Sequence, residues 1–482
     1  MSADFRRWAA LVVVCFGQLM IVLDTTIVNV ALGSMQRDLH FTQADLTRVV
    51  NSYVIAFAGL LLVAGRAGDL FGRRKVFLAG ILLFTVASFG TGLAQSATSL
   101  IVGRFVQGIG GSLAAGVILA LIIARFTKPA ERTRALSVFA LVAAGGGSLG
   151  LLAGGVLTQL VSWHWIFFIN VPIGLATLLA GALLIEENEG AGLSRGIDVI
   201  GSLLIVGALV IGVYAIVTAA DTGWTSSHTL GFGGAAVALL VAFVAVEWRI
   251  ANPLMPLRIL REGALTAGSA VRAFLFAGMS STFFAASLYL QHIKGLDGLE
   301  IGLAFLPTTV LLGALPASGA TSRLMARFGA RNVVIAGLAL IAIALYVLSG
   351  LDETANYFPR LFVGLTLFGL GAGSSFLPLL SISMSEVTPA DSGLATGFSN
   401  VVMQIGAALG LAVVGSVATS RSTGLIAGGA TVSGALTSGS QLAFLLASAS
   451  VAAGLVLVLA VLRAPAGQPE LAAEEVAVEE AA

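Results

Sequence analysis

The chain has 482 residues, of which 57% are hydrophobic and 10% charged, with a mean hydropathy of +1.00 and a net charge of +1. Soluble domains average about 45–50% apolar and about 25% charged residues, so this composition excludes a soluble protein and identifies a polytopic helical membrane protein. The charge balance offers no basic surface to nucleic acid. The single cysteine, Cys15, excludes an internal disulfide and a Cys-based metal cluster.

Fourteen apolar runs are long enough to span a bilayer, at roughly 8–32, 46–65, 76–94, 99–124, 135–159, 166–185, 198–219, 229–250, 265–291, 299–322, 332–350, 359–384, 393–418 and 441–463. Arg6 and Arg7 precede the first run as in a signal peptide. The run continues to Leu32 without a convincing cleavage site, so a retained first helix is expected. An even count puts both ends on one side of the membrane. Basic residues gather in alternate loops, at Arg66–Lys75, Arg125–Arg134, Arg249–Arg261 and Arg323–Arg331, which places the termini in the cytoplasm. Ser385–Ser392 should be cytoplasmic and has no base. Thr419–Ser440, rich in Gly, Ser and Thr, reads as a flexible external loop. The tail 464–482 is polar and acidic and reads as disordered. His40, His164, His228 and His292 fall at or near predicted helix ends without metal-ligand spacing, and no cofactor is expected. Few lysines, with abundant Arg, Ala and Gly, suggest a GC-rich bacterial source.

Gly65–Lys75 reads G-R-A-G-D-L-F-G-R-R-K between the second and third runs. Gly65, Gly68 and Gly72 permit a tight turn, and Asp69 is the one acid among Arg66, Arg73, Arg74 and Lys75. A retained cytoplasmic loop needs only the positive charge. A degraded copy recurs 257 residues later, where Arg66, Gly72, Arg74 and Gly80 align with Arg323, Gly329, Arg331 and Gly337. Gly103, Gly108 and Gly110 align likewise with Gly364, Gly369 and Gly371, at an offset of 261. Runs 1–6 therefore correspond to runs 9–14. The division is an N-terminal half (1–195), two inserted helices (196–262), a C-terminal half (263–463) and the tail. Two related six-helix halves mark a transporter that rocks about a central site. Asp69 becomes Ala326 and Arg104 becomes Leu365 in the copy, so ionisable chemistry is concentrated in the first half.

Asp24 lies sixteen residues past Trp8, about 24 Å along a helix, and Arg104 lies near the outer start of the fourth run. Ionisable groups inside a bilayer face the bundle interior and mark ion or proton paths. A fixed structural pair, or a solvated Asp24, are the other readings. Gln107, Gly108, Gly110 and Gly111, and the glycines Gly145–Gly147, Gly150, Gly154 and Gly155, permit close helix packing. Arg48, Arg272 and Glu247, within or near span edges, are expected to snorkel to the interface. Trp163, Trp165 and Trp224 are expected to anchor there.

Taken together, L-D-T-T-I-V-N-V-A-L (23–32), the Gly65–Lys75 stretch, G-R-F-V-Q-G-I-G-G (103–111), G-L-L-A-G-G (150–155) and W-H-W-I-F-F-I-N-V-P (163–172) resemble the major facilitator superfamily, specifically its fourteen-helix drug:proton antiporters of the EmrB/QacA type. The resemblance implies an all-α membrane fold and proton-driven export by alternating access. It makes Asp24 and Arg104 proton-coupling residues. Gly65, Asp69, Gly72, Arg73 and Arg74 become a conformational gate whose acid meets the start of a second-half helix near Gly393. Gln107, Gly108, Gly146, Gly150, Gly154 and Gly155 become the helix-packing and antiport motif. The chain departs from the pattern with Gly33 and Leu151 where the family usually has proline, Arg48 where it often has Trp, and His164 where it often has Arg.

No ATP-binding loop occurs, so a proton gradient is the expected energy source. The expected partners are protons, a small hydrophobic substrate and the bilayer, for a monomer in the inner membrane. The run 299–322 has no acid beyond Glu300, which favours amphipathic or neutral hydrophobic substrates over cations. Dedicated export of one self-made compound is the alternative. A membrane enzyme lacks the clustered acids or histidines it would need, and a sensor lacks a long soluble domain.

Overall fold

The computed structural model describes residues 3–39, 41, 43–187, 190, 192, 198–250, 258, 263–296, 298–387 and 392–461. The tail 464–482, His40, Arg261 and most of the stretches around the expected junctions near 195 and 262 lie outside these residues. Helices α1 (Ala3–Leu39), α2 (Gln43–Phe71), α3 (Arg73–Gly92), α4 (Ala97–Arg125), α5 (Pro129–Leu160), α6 (Trp165–Phe168) and α7 (Asn170–Leu184) pack as one bundle. Helices α8 (Val199–Thr222) and α9 (Ser227–Glu247) pair with each other. The second bundle holds α10 (Gly263–Leu288), α11 (Gly298–Ala304), α12 (Leu306–Ala317), α13 (Ala320–Phe328), α14 (Ala330–Leu348), α15 (Phe362–Ser383), α16 (Ser392–Ala427) and α17 (Val432–Val461).

Among the described residues, twelve helices are long and apolar enough to cross a membrane. The expected runs 135–159 and 299–322 are not among them. Within α5, Arg134–Gly147 is a shorter apolar segment. The other run breaks between Ala304 and Leu306, where Pro307 sits in the first turn of α12. Proline has no N–H to continue the preceding helix but suits a helix start. One correction concerns Thr419–Ser440. It is helical except for residues 428–431, because α16 runs to Ala427 and α17 begins at Val432. Positive φ at Gly429 makes the intervening turn.

The repeat is visible at atomic scale. α2 stops at Phe71 and α3 starts at Arg73 across Gly72, at φ 98° and ψ 127°. α13 and α14 join across Gly329, at φ 80° and ψ 148°. Both conformations belong to a region that is essentially glycine-only. Where α3 crosses α4, a Cβ at Gly80 would lie 2.8 Å from the Gly110 carbonyl oxygen. Where α14 crosses α15, a Cβ at Gly337 would lie 2.8 Å from the Gly371 carbonyl oxygen. Each crossing brings two backbones together at a pair of aligned glycines.

The bundles meet through α2 and α16, where Gly397 lies against Leu61 and Leu62, and through α5 and α12, where Gly313 receives Leu141. One apolar core joins Leu61, Leu62, Val117 and Phe126 to Leu377, Leu380, Leu394 and Ala395 of the second bundle. It reaches from Val76 and Phe126, near Gly72, to Tyr53 and Met20. Leu23, Ile27, Val28, Ala31 and Trp163 form a core of the first bundle alone at the other end. The inserted pair packs on this seam, with α8 against both α2 and α16 and Val210 pressed on Gly59.

Candidate functional site

Asp24 and Arg104 are both buried, at 0% and 2% exposure, and form an ion pair between Arg104 Nη1 and Asp24 Oδ2. This excludes the solvated reading of Asp24. Gln107 sits one turn along α4 from Arg104. Its amide nitrogen donates to Asp24 Oδ1 at 3.2 Å and to Ser88 Oγ at 2.8 Å, while its oxygen accepts from Arg104 Nη1 at 3.1 Å. Asn170, the first residue of α7, donates from Nδ2 to Asp24 Oδ1 at 3.1 Å. Tyr53 of α2 lies beneath the guanidinium, with Arg104 Cζ 4.3 Å from the ring centroid. The Phe167 ring also lies near, its centroid 6.0 Å from Arg104 Cζ. The site thus draws on every long helix of the first bundle except α5.

Glycine brings the helices close enough. A Cβ at Gly108 would lie 2.6 Å from the Tyr53 carbonyl oxygen, so its absence lets α2 carry Tyr53 under Arg104. On α5, a Cβ at Gly150 would lie 2.0 Å from Thr26 Oγ1 and 2.8 Å from the Leu23 carbonyl oxygen. Gly146 contacts Leu19 and Val22, and Gly154 contacts Ile27. These glycines cradle the segment of α1 that carries Asp24. Gly155 is buried on the same helix, whereas Gly145 faces open space.

Three groups approach the Asp24 oxygens, from Arg104, Gln107 and Asn170, and all of them are donors. That is the environment of an ionised carboxylate. A protonated Asp24 would itself need an acceptor. Asn170 Oδ1 is buried, has no hydrogen-bond partner and belongs to an amide already touching the carboxylate. Arg104 Nε and Tyr53 Oη are also buried without a hydrogen-bond partner. The cluster is therefore satisfied around the carboxylate and unsatisfied at its rim.

The Gly65–Lys75 stretch forms a separate assembly at the other end of α2. Arg73 donates from Nη2 to Asp69 Oδ1 at 3.0 Å and from Nη1 to the Ala120 carbonyl of α4 at 3.3 Å. Arg74 donates to the Ala182 carbonyl of α7 and lies 3.7 Å from Glu187. Lys75 lies 3.6 Å from the same carboxylate. Gly65 is buried, its amide nitrogen 2.9 Å from where a Cβ of Gly116 would lie. Next to this assembly, Arg125 pairs with Glu186, and the hydrogen bond holds the Glu186 carboxyl below its ordinary range.

Three expectations fail. Arg272 does not snorkel: it is 3% exposed and donates to Ser399 Oγ at 2.6 Å and Met403 Sδ at 3.4 Å. Its ninth-step position in α10 puts it about 14 Å from the helix start, beyond easy reach of the interface. Glu247, the last residue of α9, is buried too. Trp163 is no interfacial anchor. It is buried, stacked on His164, and donates from its indole N–H to Asp38 Oδ2 at 2.8 Å. Arg48, Trp165 and Trp224 are exposed. The sequence reading gave Gln107 to helix packing and passed over Ser88, Asn170 and Tyr53. The signal for Asn170 was present, since a lone carboxamide inside the apolar run 166–185 needs a polar partner.

The model of the Major Facilitator Superfamily matches residues 14–251 and 268–480. The chain belongs to that superfamily. It is 35% identical over 461 residues to the puromycin resistance protein pur8 of Streptomyces alboniger, a match covering 95% of this chain and 91% of that one. It is 34% identical over 423 residues to the tetracenomycin C resistance and export protein of Streptomyces glaucescens, covering 86% and 77%. Among solved structures, the proton:xylose symporter XylE bound to 6-bromo-6-deoxy-D-glucose superposes with a TM-score of 0.66 at 14% identity, covering 96% of this chain and 97% of that one. That likeness carries the fold alone. Membership makes this chain a multi-pass membrane transporter and not an enzyme.

Proposed function

We propose that this chain is a proton-driven efflux transporter that exports drugs or other hydrophobic and amphipathic small molecules by alternating access. The observation that carries the reading is the enclosed Asp24 carboxylate, held by three donors beside an unpartnered carbonyl oxygen. Protonation of Asp24 removes its charge from Arg104, and rotation of the Asn170 amide offers the new O–H an acceptor. Arg104 then keeps Gln107 and the face of Tyr53. The ion pair is thereby a switch between two arrangements of α1 and α4. A membrane potential supplies about 2.3 kcal/mol per charge per 100 mV, so no bound cofactor is needed.

Further parts of the reading concern placement. The chain crosses the inner membrane of a bacterium fourteen times, with α5 and the α11–α13 segment as the crossings beyond the twelve long spans. Both termini are cytoplasmic, and a single chain is the working unit. The halves 1–195 and 263–463 move about the seam held by α2, α5, α12 and α16. Gly65, Asp69, Gly72, Arg73 and Arg74 lock that movement at the cytoplasmic end. The relatives named for resistance or export support the outward direction. Two of them are named for one antibiotic each, which favours dedicated export of a single compound as the second reading.

The test is efflux of a dye and several hydrophobic antibiotics from cells expressing the chain, with and without a protonophore. Protonophore-sensitive efflux of several unrelated compounds supports the broad reading, and of one compound the dedicated reading. Efflux unaffected by the protonophore contradicts both.

A further inference from the structure

The second bundle holds a buried cation that the proton switch does not use. Arg272 lies ten residues into α10, and among the described residues its guanidinium contacts neutral groups: the Ser399 hydroxyl, the Met403 thioether and, 5.8 Å away, the Phe376 ring. Among the described residues no carboxylate lies within ion-pair distance of it, whereas Arg104 has Asp24. A charge removed from water is costly unless paired, and inside a bilayer such groups mark the substrate or ion path. A purely structural role would call for a carboxylate or several carbonyl oxygens around the five N–H donors.

The surroundings describe what completes the site. Phe376 on α15 and Met403 on α16, which wall Arg272, are half-buried. Phe276 packs on Phe376 at 6.2 Å between ring centroids and extends the apolar wall along α10. Val401 and Ile405, flanking Met403 on α16, belong to or pack on the core shared with the first bundle. Arg272 thus contacts α16, the same helix through which the second bundle meets α2 of the first. A planar fork beside a phenyl ring and a thioether suits a planar anion on an aromatic or apolar body.

We propose that Arg272 is the anion receptor of the transport site, and that the exported compound is an amphipathic acid whose carboxylate, sulfonate or phosphate pairs with this guanidinium while its apolar body lies on Phe376 and Met403. The inference rests on the export reading and narrows its substrate class from neutral amphiphiles to acids. It also separates the labours of the halves, with proton binding at Asp24 in the first and substrate charge at Arg272 in the second.

The test is equilibrium binding of pyrenebutyrate, and of the matched neutral pyrenebutanol, to the full chain in phosphatidylcholine nanodiscs, corrected with empty discs. The wild type is expected to prefer the acid at least tenfold. Arg272→Gln is expected to abolish the preference and Arg272→Lys to retain part of it. Met403→Glu supplies an internal carboxylate to an intact Arg272, so it should abolish the preference too, and it decides the matter if Arg272→Gln does not fold. No preference in the wild type, or an undiminished one in Arg272→Gln or Met403→Glu, overturns the proposal. Repeating the measurement with phosphatidylglycerol in the discs separates the sources of the anion. A preference that survives supports a soluble substrate, while its loss assigns the site to a lipid headgroup and overturns the substrate assignment. Gradient-driven uptake of pyrenebutyrate into inverted vesicles is scored separately. Binding preference without uptake removes the export reading and leaves the anion site standing.

Discussion

Asn170→Leu isolates one hydrogen bond of the proton switch. The side chain is fully buried, its Nδ2 donates to Asp24 Oδ1 at 3.1 Å, and its Oδ1 has no partner. Leucine has the same branched shape and no polar atom. Removing a hydrogen bond to a charged group costs about 1.5–3 kcal/mol, and removing an orphaned buried acceptor returns about 1–3 kcal/mol. The two nearly cancel, so the melting temperature should move by only a few degrees. The ionised form of Asp24 alone loses the donor, whereas the protonated form loses its nearest acceptor, so the net effect depends on which loss is larger. The donor contributes in the observed geometry and the acceptor only after a rotation, so the ionised form loses more. At 1.36 kcal/mol per tenfold in rate, gradient-driven efflux should then slow about tenfold. The assay is the initial gradient-driven efflux rate in vesicles, beside a thermal melt of the purified protein. An undiminished rate with a normal melt refutes the reasoning.

Three further predictions use the rest of the bundle. Gly150→Ala should lower stability by about 1–3 kcal/mol through overpacking, because its Cβ meets Thr26 and the Leu23 backbone, while Gly145→Ala, in open space, should be neutral or stabilising in the same melt. Gly72→Ala and Gly329→Ala should each cost about 1–3 kcal/mol, and comparable losses in parallel melts would show that the repeat reuses one backbone device. Glu186→Gln removes a half-exposed partner of Arg125. Its depressed folded value makes the contribution present above the ordinary carboxylate range and lost as pH falls through that folded value, so any melting difference from wild type should shrink in acid and in salt.

Much of the architecture was legible because it depends on long-range regularities of the sequence. Apolar runs give span length, and the aligned glycines Gly72 with Gly329, and Gly80 with Gly337, mark positions where backbone geometry or close approach excludes a side chain. The Asp24–Arg104 pairing was legible from two charges at similar depth. What hydropathy does not encode is the direction a side chain faces. Gln107 lies among glycines, so its carboxamide passed as part of a packing surface, although it is the residue that ties Arg104, Asp24 and Ser88 together. Arg272 was read as an edge residue because the apolar run begins only a few residues earlier. The helix begins sooner than the run, and the neighbouring helices α15 and α16 close over the guanidinium. Thr419–Ser440 was read as a loop from its small polar residues, yet small residues also permit helices to touch. Gly439 lies against Ser422, whose hydroxyl donates to the Ala435 carbonyl at 3.0 Å across the α16–α17 pair.

The central claim is that the Asp24 carboxylate couples proton entry to export. The most direct measurement is substrate uptake into inverted vesicles carrying wild type or Asp24→Asn, driven by an imposed pH gradient, with substrate exchange in the absence of a gradient measured in parallel. The account predicts that Asp24→Asn abolishes gradient-driven accumulation while exchange persists. Accumulation equal to that of the wild type would remove Asp24 from the mechanism and leave the pair with Arg104 a structural one.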